Sequence, residues 1–441
     1  MTVIAEPLTY DQALAAIAER GRFGVHLGLG RVRALLHASG DPQRGIRGAL
    51  VAGTNGKGSV LALAGSALRA AGLRVGETPK PHLVSYRERL VVDGRPVPPD
   101  TFARLVTDVL KAADRVPRRL GEPTEFELLT VVVFLWFAEQ HLDVALVEVG
   151  LGGRLDATNV WDGGVAAVTN VDLDHQDRLG TTVTAIAREK AAIIKRGDVA
   201  VTGATGDALA VIRRRARRLD VPLAEATPAP LLGWDRDGIE VELPRLGRTR
   251  VGLRGRHQAA NVTVADALLD ALDVAGIARV EGDARRRGYA SVTWPGRLEL
   301  LDVGGREVLL DGAHNPAGAA ALASALDDLR PFLVPGPITL LTASMSDKDA
   351  RGVVSALAGS PALRDATVLC AAVDLPRALP ADDLAALWRS APPAPGHVAA
   401  VASVEDGLRR ALDSATGPIV VAGSLYLVGA VRGQLVPGVS P

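Results

Sequence analysis

Short apolar runs alternate with amphipathic stretches along most of this 441-residue chain. Apolar runs read as strands buried in a sheet, and helical stretches between them argue for parallel sheets covered by helices. The runs at residues 49–53, 73–76, 143–149 and 164–169 are expected strands. The stretches at 59–71, 124–140 and 183–195 are expected helices, the second opened by a Pro-Thr-Glu start signal and the third stopped by Gly197. From residue 228 to 255 the texture changes to Pro, Gly and Arg with short alternating pieces such as 239–243, which suggest antiparallel strands. A helix over 258–275 follows. Pro295-Gly296 then punctuates the chain, and a new β/α series begins, with strands expected at 298–303, 307–311, 338–342, 366–371 and 419–422. The expected fold is α/β, with a mostly parallel sheet over residues 1–295 and a smaller, Rossmann-like α/β domain over 296–441. Neither repeats nor low-complexity tracts are found, apart from an Ala/Pro-rich linker near 391–395.

Composition adds exclusions. The chain is 48% apolar and 23% charged, a globular balance. Basic and acidic residues number 50 each, so no basic field points to nucleic acid or to a membrane. The longest strongly apolar run, 128–138, falls short of the roughly 20 residues that span a bilayer. The N-terminus has no basic, apolar leader pattern, and a cytoplasmic protein is expected. Cys370 is the single cysteine, which excludes an internal disulfide, and its apolar surroundings predict a buried thiol. Only six of the 50 basic residues are lysines: Lys57, Lys80, Lys111, Lys190, Lys195 and Lys348. In so arginine-rich a chain a retained lysine suggests use of a compact ammonium or a titratable amine.

The strongest chemical signal is Gly53-Thr-Asn-Gly-Lys-Gly-Ser59, set between a strand and a helix. Glycines let backbone N–H groups turn toward an anion, the helix N-terminus adds its dipole, and Lys57 supplies a point charge. This is a P-loop-type phosphate cradle, although it is not a standard Walker A sequence. The alternative is an ordinary glycine turn with an exposed lysine. Glu148 closes a buried strand, where a Mg²⁺ ligand belongs. Asp172, Asp174, His175 and Asp177 cluster after another strand, readable as a solvated loop or as part of the same site. Lys190 lies mid-helix on an apolar face. It is either a snorkelling lysine or a buried amine able to react with CO₂ and form an anionic carbamate. Asp311-Gly-Ala-His-Asn-Pro316 marks a second strand-to-helix corner, and Arg297 is expected at the domain junction.

In this order the motifs resemble the folylpolyglutamate synthase/dihydrofolate synthase family, within the ATP-dependent Mur ligase superfamily. The most specific are the 53–59 loop, Glu148-Val-Gly-Leu-Gly-Gly-Arg-Leu-Asp-Ala-Thr-Asn159, Leu173-Asp-His175, Arg188-Glu-Lys190 and 311–316. The resemblance implies that Thr54, Asn55, Gly56, Lys57, Gly58 and Ser59 hold the ATP phosphates. Asn261, Arg297, Asp311 and His314 would contact the nucleotide. Glu148, His175 and Ser59 would hold one or two Mg²⁺ ions, and Lys190 would match a carbamylated lysine. Lys57, Glu148, His175, Lys190 and Arg297 form the implied catalytic set. Leu27, Gly28, Thr124, Glu125, Phe126, Glu127, Leu155, Asp156 and Ala157 would form the pteroate pocket, with Phe126 stacking on the ring and Asp156 bonding to it.

Two positions depart from the family pattern. Lys80, in Thr78-Pro-Lys-Pro-His-Leu83, stands where the family has a magnesium-binding serine, and His26 replaces an aspartate. An ammonium cannot ligate a metal. Lys80 therefore either replaces one ion and contacts the phosphates or turns to solvent, with replacement the expectation. The implied reaction is ATP-dependent joining of L-glutamate to the carboxylate of dihydropteroate or a reduced folate, through an acyl phosphate, by a monomer. Its rivals are a related Mur-type ligase for a different carboxylic acid and a nucleotide-binding protein that does not turn over.

Overall fold

The computed structural model describes residues 7–21 and 28–438. The chain forms two compact units. One holds the chain up to His82, Tyr86–Ala229 and Ala260–Tyr289; the other holds Leu83–Ser85, Pro230–Ala259 and the chain from Ala290. A single cut at residue 295 differs from this division in placing Leu83–Ser85, Pro230–Ala259 and Ala290–Pro295 with the first unit.

The first unit is built on an eight-stranded sheet. Its strands are β1 (Gly48–Ala52), β2 (Val75–Thr78), β3 (Val91–Val92), β4 (Arg95–Pro96), β5 (Val144–Glu148), β6 (Gly164–Val168), β7 (Val199–Thr202) and β8 (Leu223–Glu225). They run in the order β4-β3-β2-β5-β1-β6-β7-β8. Pairing is parallel from β2 through to β8, and β3 and β4 add an antiparallel edge. β1 and β5 are buried at every position, as unbroken apolar runs require when helices cover both faces. β1 lies between β5 and β6, with Val51 opposite Glu148 and Ala52 opposite Val168. The β5-to-β6 connection therefore crosses β1, and the loops after these three strands share one edge. That is a topological switch point, where open α/β sheets bind ligands.

The helix Glu125–Glu139 begins where its start signal predicts. Thr124 accepts from the Glu127 N–H, and the Glu127 side chain accepts from the Thr124 N–H, a reciprocal capping box. The helix expected over 183–195 instead ends at Ala191. The Lys195 N–H donates to the Asp198 carboxylate at 2.7 Å, and its ammonium to the Trp161 carbonyl at 2.8 Å. These bonds turn the chain out of the helix although Ile193 and Ile194 remain buried.

The second unit has two sheets. β9 (Leu231–Asp235), β10 (Gly238–Leu243) and β11 (Gly247–Val251) form the antiparallel sheet that the alternating pattern suggests. The other strands are β12 (Glu299–Val303), β13 (Arg306–Leu310), β14 (Thr339–Thr342), β15 (Thr367–Cys370), β16 (His397–Ala400) and β17 (Ile419–Ala422). They run in the order β12-β13-β17-β14-β15-β16, parallel except for β12 against β13. Successive residues such as Leu340 and Leu341 feed separate apolar clusters, so this sheet too is covered on both faces. Cys370 is a buried free thiol here, its pKa pushed up to about 12 by burial. Among the described residues no helix is long and apolar enough to cross a membrane.

Candidate active site

The loop after β1 is tied down residue by residue. The Thr54 N–H donates to the Asn170 carbonyl at 3.0 Å, and the Asn55 N–H to Asn170 Oδ1 at 2.9 Å. Thr169 Oγ1 donates to the Asn55 carbonyl at 2.6 Å, and the Thr54 hydroxyl links to Asp172. Gly56 turns into the helix Lys57–Ala70 with φ 80°. A Cβ there would come within 2.3 Å of Asn261 Oδ1, so both conformation and space demand glycine. Asn170 and Thr169 were not singled out by the sequence reading. Their position directly after a buried strand beside the glycine loop was the available signal.

Two lysines share one acceptor in this loop. The Gly53 carbonyl takes Lys57 Nζ at 3.1 Å and Lys190 Nζ at 2.9 Å. Lys190 is only 5% exposed. Burial, and then the nearby Lys57 charge, lower its pKa to about 7. The snorkelling alternative is thereby overturned, because the amine points inward to the phosphate loop and not to water. Lys57 Nζ also lies 3.9 Å from Glu148 Oε1, at the end of the neighbouring β5. Glu148 is itself 3% exposed, and its Oε2 accepts the Lys80 N–H at 2.9 Å.

A metal ion is implied beside this carboxylate, and the donors present fit Mg²⁺. Glu148 and the buried hydroxyl of Ser59 are hard oxygen ligands. Mg²⁺ takes few protein ligands and completes its shell with water and phosphate oxygens. Among the described residues no three His, Cys, Asp or Glu side chains come together as a metal cage. The Asp172–Asp177 cluster accordingly does not converge as one. His175 takes a left-handed φ of 49°, rare outside glycine, and its side chain is 41% exposed with Asp174 3.9 Å away.

Lys80 turns inward. Its ammonium donates to the Glu148 carbonyl at 2.6 Å and lies 4.8 Å from the centre of the Phe126 ring. The turn to solvent is ruled out by these contacts, and the ammonium faces the Phe126 ring. Desolvation lowers its pKa to about 8, against the opposing pull of Asp156 and Glu148. Arg89 lines the same recess and donates through Nε to His82 Nδ1 at 2.9 Å. Burial and that guanidinium push His82 down to about 3, so it is a neutral acceptor.

Asp156 carries its own loop. Oδ2 accepts the Leu151 N–H at 2.8 Å, while Oδ1 accepts the Thr158 N–H at 3.0 Å and hydroxyl at 2.5 Å. Leu155 and Ala157 flank it. Glu127 Oε2 accepts from Thr124 and from Arg31 Nε at 3.0 Å, while its buried Oε1 has no partner among the described residues. Glu125 accepts the Tyr86 hydroxyl at 3.0 Å. Gly28 is described; Leu27 and His26 lie outside the described residues.

In the second unit, Asp311 follows β13 and is held by the N–H groups of Leu298 and Ala313, each at 2.9 Å. Burial raises its pKa even though the Arg297 charge opposes the shift. Arg297 Nη1 donates to the Gly296 carbonyl at 3.1 Å, and His314 Nδ1 meets the Gly312 carbonyl at 2.8 Å. His257, which the sequence reading did not select, has its pKa lowered by burial, with Asp311 opposing. The implied nucleotide ligands thus divide, with Asn261 in the first unit and Arg297, Asp311 and His314 in the second.

A glycine-rich loop with two lysines and a buried carboxylate at a sheet's switch point, followed by a second α/β unit, defines an ATP-dependent ligase of the Mur type. Residues 296–425 match the family model described as Mur ligase, glutamate ligase domain. The chain belongs to the dihydrofolate synthase/folylpolyglutamate synthase family of ATP-dependent glutamate ligases. It is 33% identical to a Bacillus subtilis dihydrofolate synthase/folylpolyglutamate synthase over 97% of this chain and 99% of that one. Among solved structures it resembles a Mycobacterium tuberculosis folylpolyglutamate synthase complexed with ADP and AMPPCP, with TM-score 0.83, 31% identity, and 96% and 99% of the two chains covered. It also resembles E. coli FolC in complex with DHPP and ADP, with TM-score 0.82, 28% identity, and coverage of 98% and 99%. A bifunctional folylpolyglutamate synthase/dihydrofolate synthase with Mn, AMPPNP and L-glutamate bound matches with TM-score 0.81, 28% identity, and coverage of 98% and 100%.

Proposed function

We propose that this enzyme transfers the γ-phosphoryl group of ATP to the carboxylate of a pteroate or folate, forming an acyl phosphate and ADP. The L-glutamate amine then attacks the acyl carbon, forms the amide and expels phosphate. The observation that carries this reading is the convergence of Lys57 and Lys190 on the Gly53 carbonyl, with Glu148 3.9 Å from the Lys57 ammonium. It sets two amines and one carboxylate at the helix N-terminus where a triphosphate is cradled.

Lys57 would leave its loop carbonyls for phosphate oxygens, with the N–H groups of residues 54–59 around them. Glu148, Ser59 and His175 would hold Mg²⁺, which when bound neutralises charge on the phosphates. One ion on Glu148 suits this chain, because the Lys80 ammonium already stands against that residue. Lys190 would be carbamylated: its neutral amine takes up CO₂ and releases a proton. Repulsion between Lys57 and Lys190 would then become attraction. Phe126 and Asp156 would receive the acceptor's ring, and Arg297, Asp311, His314 and Asn261 would complete the nucleotide site.

The test is phosphate release from ATP and L-glutamate with dihydropteroate, tetrahydrofolate and unrelated aryl carboxylic acids in turn. Release with a pteroate or folate is expected. Release only with an unrelated acid would replace this reading with a Mur-type ligase of different acceptor.

A further inference from the structure

The recess beside Phe126 contains more polar chemistry than stacking requires. Lys80, Arg89 and Thr78 line it together with apolar residues of the Phe126 helix. Thr78 Oγ1 is buried and has no hydrogen-bond partner among the described residues. An ammonium carries three donors, and the Glu148 carbonyl takes one. The Phe126 face below offers a quadrupole and no lone pair. Asp156 and Glu148 attract this cation electrostatically, while Glu148 Oε2 accepts the Lys80 N–H and the Asp156 oxygens accept from residues 151 and 158.

Asp156 approaches the same ring from Gly150. A Cβ on Gly150 would lie 2.7 Å from Phe126 Cζ and 3.2 Å from Asp156 Oδ2, so the missing side chain lets ring and carboxylate meet. A carboxylate has about four lone-pair sites, and three donors occupy those of Asp156. One acceptor site remains. The surroundings of the Phe126 ring therefore offer a donor in Lys80 and an acceptor in Asp156, the complement of a ring N–H next to a ring carbonyl.

We propose that Lys80 is a specificity-determining residue that donates to the carbonyl oxygen of a lactam edge on the acceptor's heterocycle, while Asp156 accepts the adjacent ring N–H. This rests on the pteroate or folate reading above, and it assigns Lys80 to the acceptor and not to ATP. A site built to hydrogen-bond a substrate group rejects an analogue that lacks it, because its own polar groups are then left unpaired.

The experiment compares 4-oxo pteroate with its 4-amino analogue, which presents an amine where the carbonyl was. Binding is measured by calorimetry, with KM and kcat where turnover occurs, on the unmutated enzyme and on Lys80→Met. The unmutated enzyme should prefer the 4-oxo ring by about tenfold or more, the scale of one charge-assisted hydrogen bond. Lys80→Met should lower that ratio about tenfold, mainly by weakening the 4-oxo ligand, with the KM for ATP unchanged. The inference is overturned if the unmutated enzyme shows no preference, which needs no variant to fold. It is also overturned if the substitution weakens both ligands equally or leaves their ratio intact. Failure of the unmutated enzyme to bind either ring, with turnover of another acid, would instead overturn the acceptor class itself.

Discussion

Carbamylation of Lys190 can be predicted with a magnitude. An ordinary lysine at pH 7 is about one part in 3,000 neutral, whereas an amine with its pKa lowered to about 7 is about half neutral, roughly a 10³-fold gain in the form that attacks CO₂. The shift comes first from burial and then from Lys57, and the Lys57 charge would also attract an anionic carbamate. Formation should rise with pH through about 7, because deprotonation precedes attack. The stability sign agrees. Between about 7 and the ordinary value of 10.5 the unfolded chain binds one more proton than the native unmodified chain, so this amine's contribution to stability increases with pH there and is lost on acidification. The assay uses ¹³C-bicarbonate and carbon NMR, paired with ligase rates in CO₂-depleted and CO₂-replete buffer. A carbamate resonance lost in Lys190→Ala is expected, with slower turnover on depletion and partial rescue of the variant by a short carboxylic acid. No resonance at pH 8, together with rates indifferent to CO₂, would refute the reasoning.

Lys57→Ala should lower kcat by about 10²-fold or more, the cost of losing one preorganised charge in such a site, while the melting curve stays near that of the parent. For Glu148, substitution by Gln is the cleaner test, since the amide oxygen still accepts the Lys80 N–H and only the charge is lost; turnover should fall and the magnesium requirement rise. Asp156→Asn should raise the acceptor's KM with little change in that for ATP, and a selective loss of ATP affinity would place it in the wrong pocket. Asp266 accepts from Arg285 and from the Tyr289 hydroxyl, each at 2.9 Å, and both donors are buried. Asp266→Ala should therefore cost about 1–3 kcal/mol in urea unfolding, by removing the acceptor of the buried Tyr289 hydroxyl and one of the two carboxylates that pair Arg285, Asp270 being the other, without altering the acceptor preference.

The central strands were legible because parallel strands covered on both faces are near-continuous apolar runs, as β1, β6 and β5 up to its terminal Glu148 are. β16 was not, since His397 is exposed and the rest of that strand is only half-buried. The end of the 183–191 helix was hidden for a different reason. Apolar periodicity continues through Ile193 and Ile194, and the stop depends on the Asp198 carboxylate capturing the Lys195 N–H. The phosphate loop was readable from its glycines, but its clasp by Thr169 and Asn170 joins residues over a hundred positions apart. A local pattern cannot express such a bond.

The scarcity of lysine carries the same lesson further. Three of the six converge on two neighbouring strand ends: Lys57 and Lys190 on the Gly53 carbonyl, and Lys80 on the Glu148 carbonyl. An arginine would not serve at these positions. Its planar fork is too broad for two cations to share one carbonyl oxygen, and its guanidinium keeps its proton where Lys190 must lose one. Lys195 shows that rarity alone does not mark function, because its ammonium ties the Trp161 carbonyl inside the fold. What separates the two groups is the location of the acceptor. Gly53 and Glu148 stand at the C-terminal ends of adjacent parallel strands, and Trp161 lies before β6, at its opposite end. The residue type nominates a candidate; the end of the strand that it reaches decides whether it meets a ligand or the core.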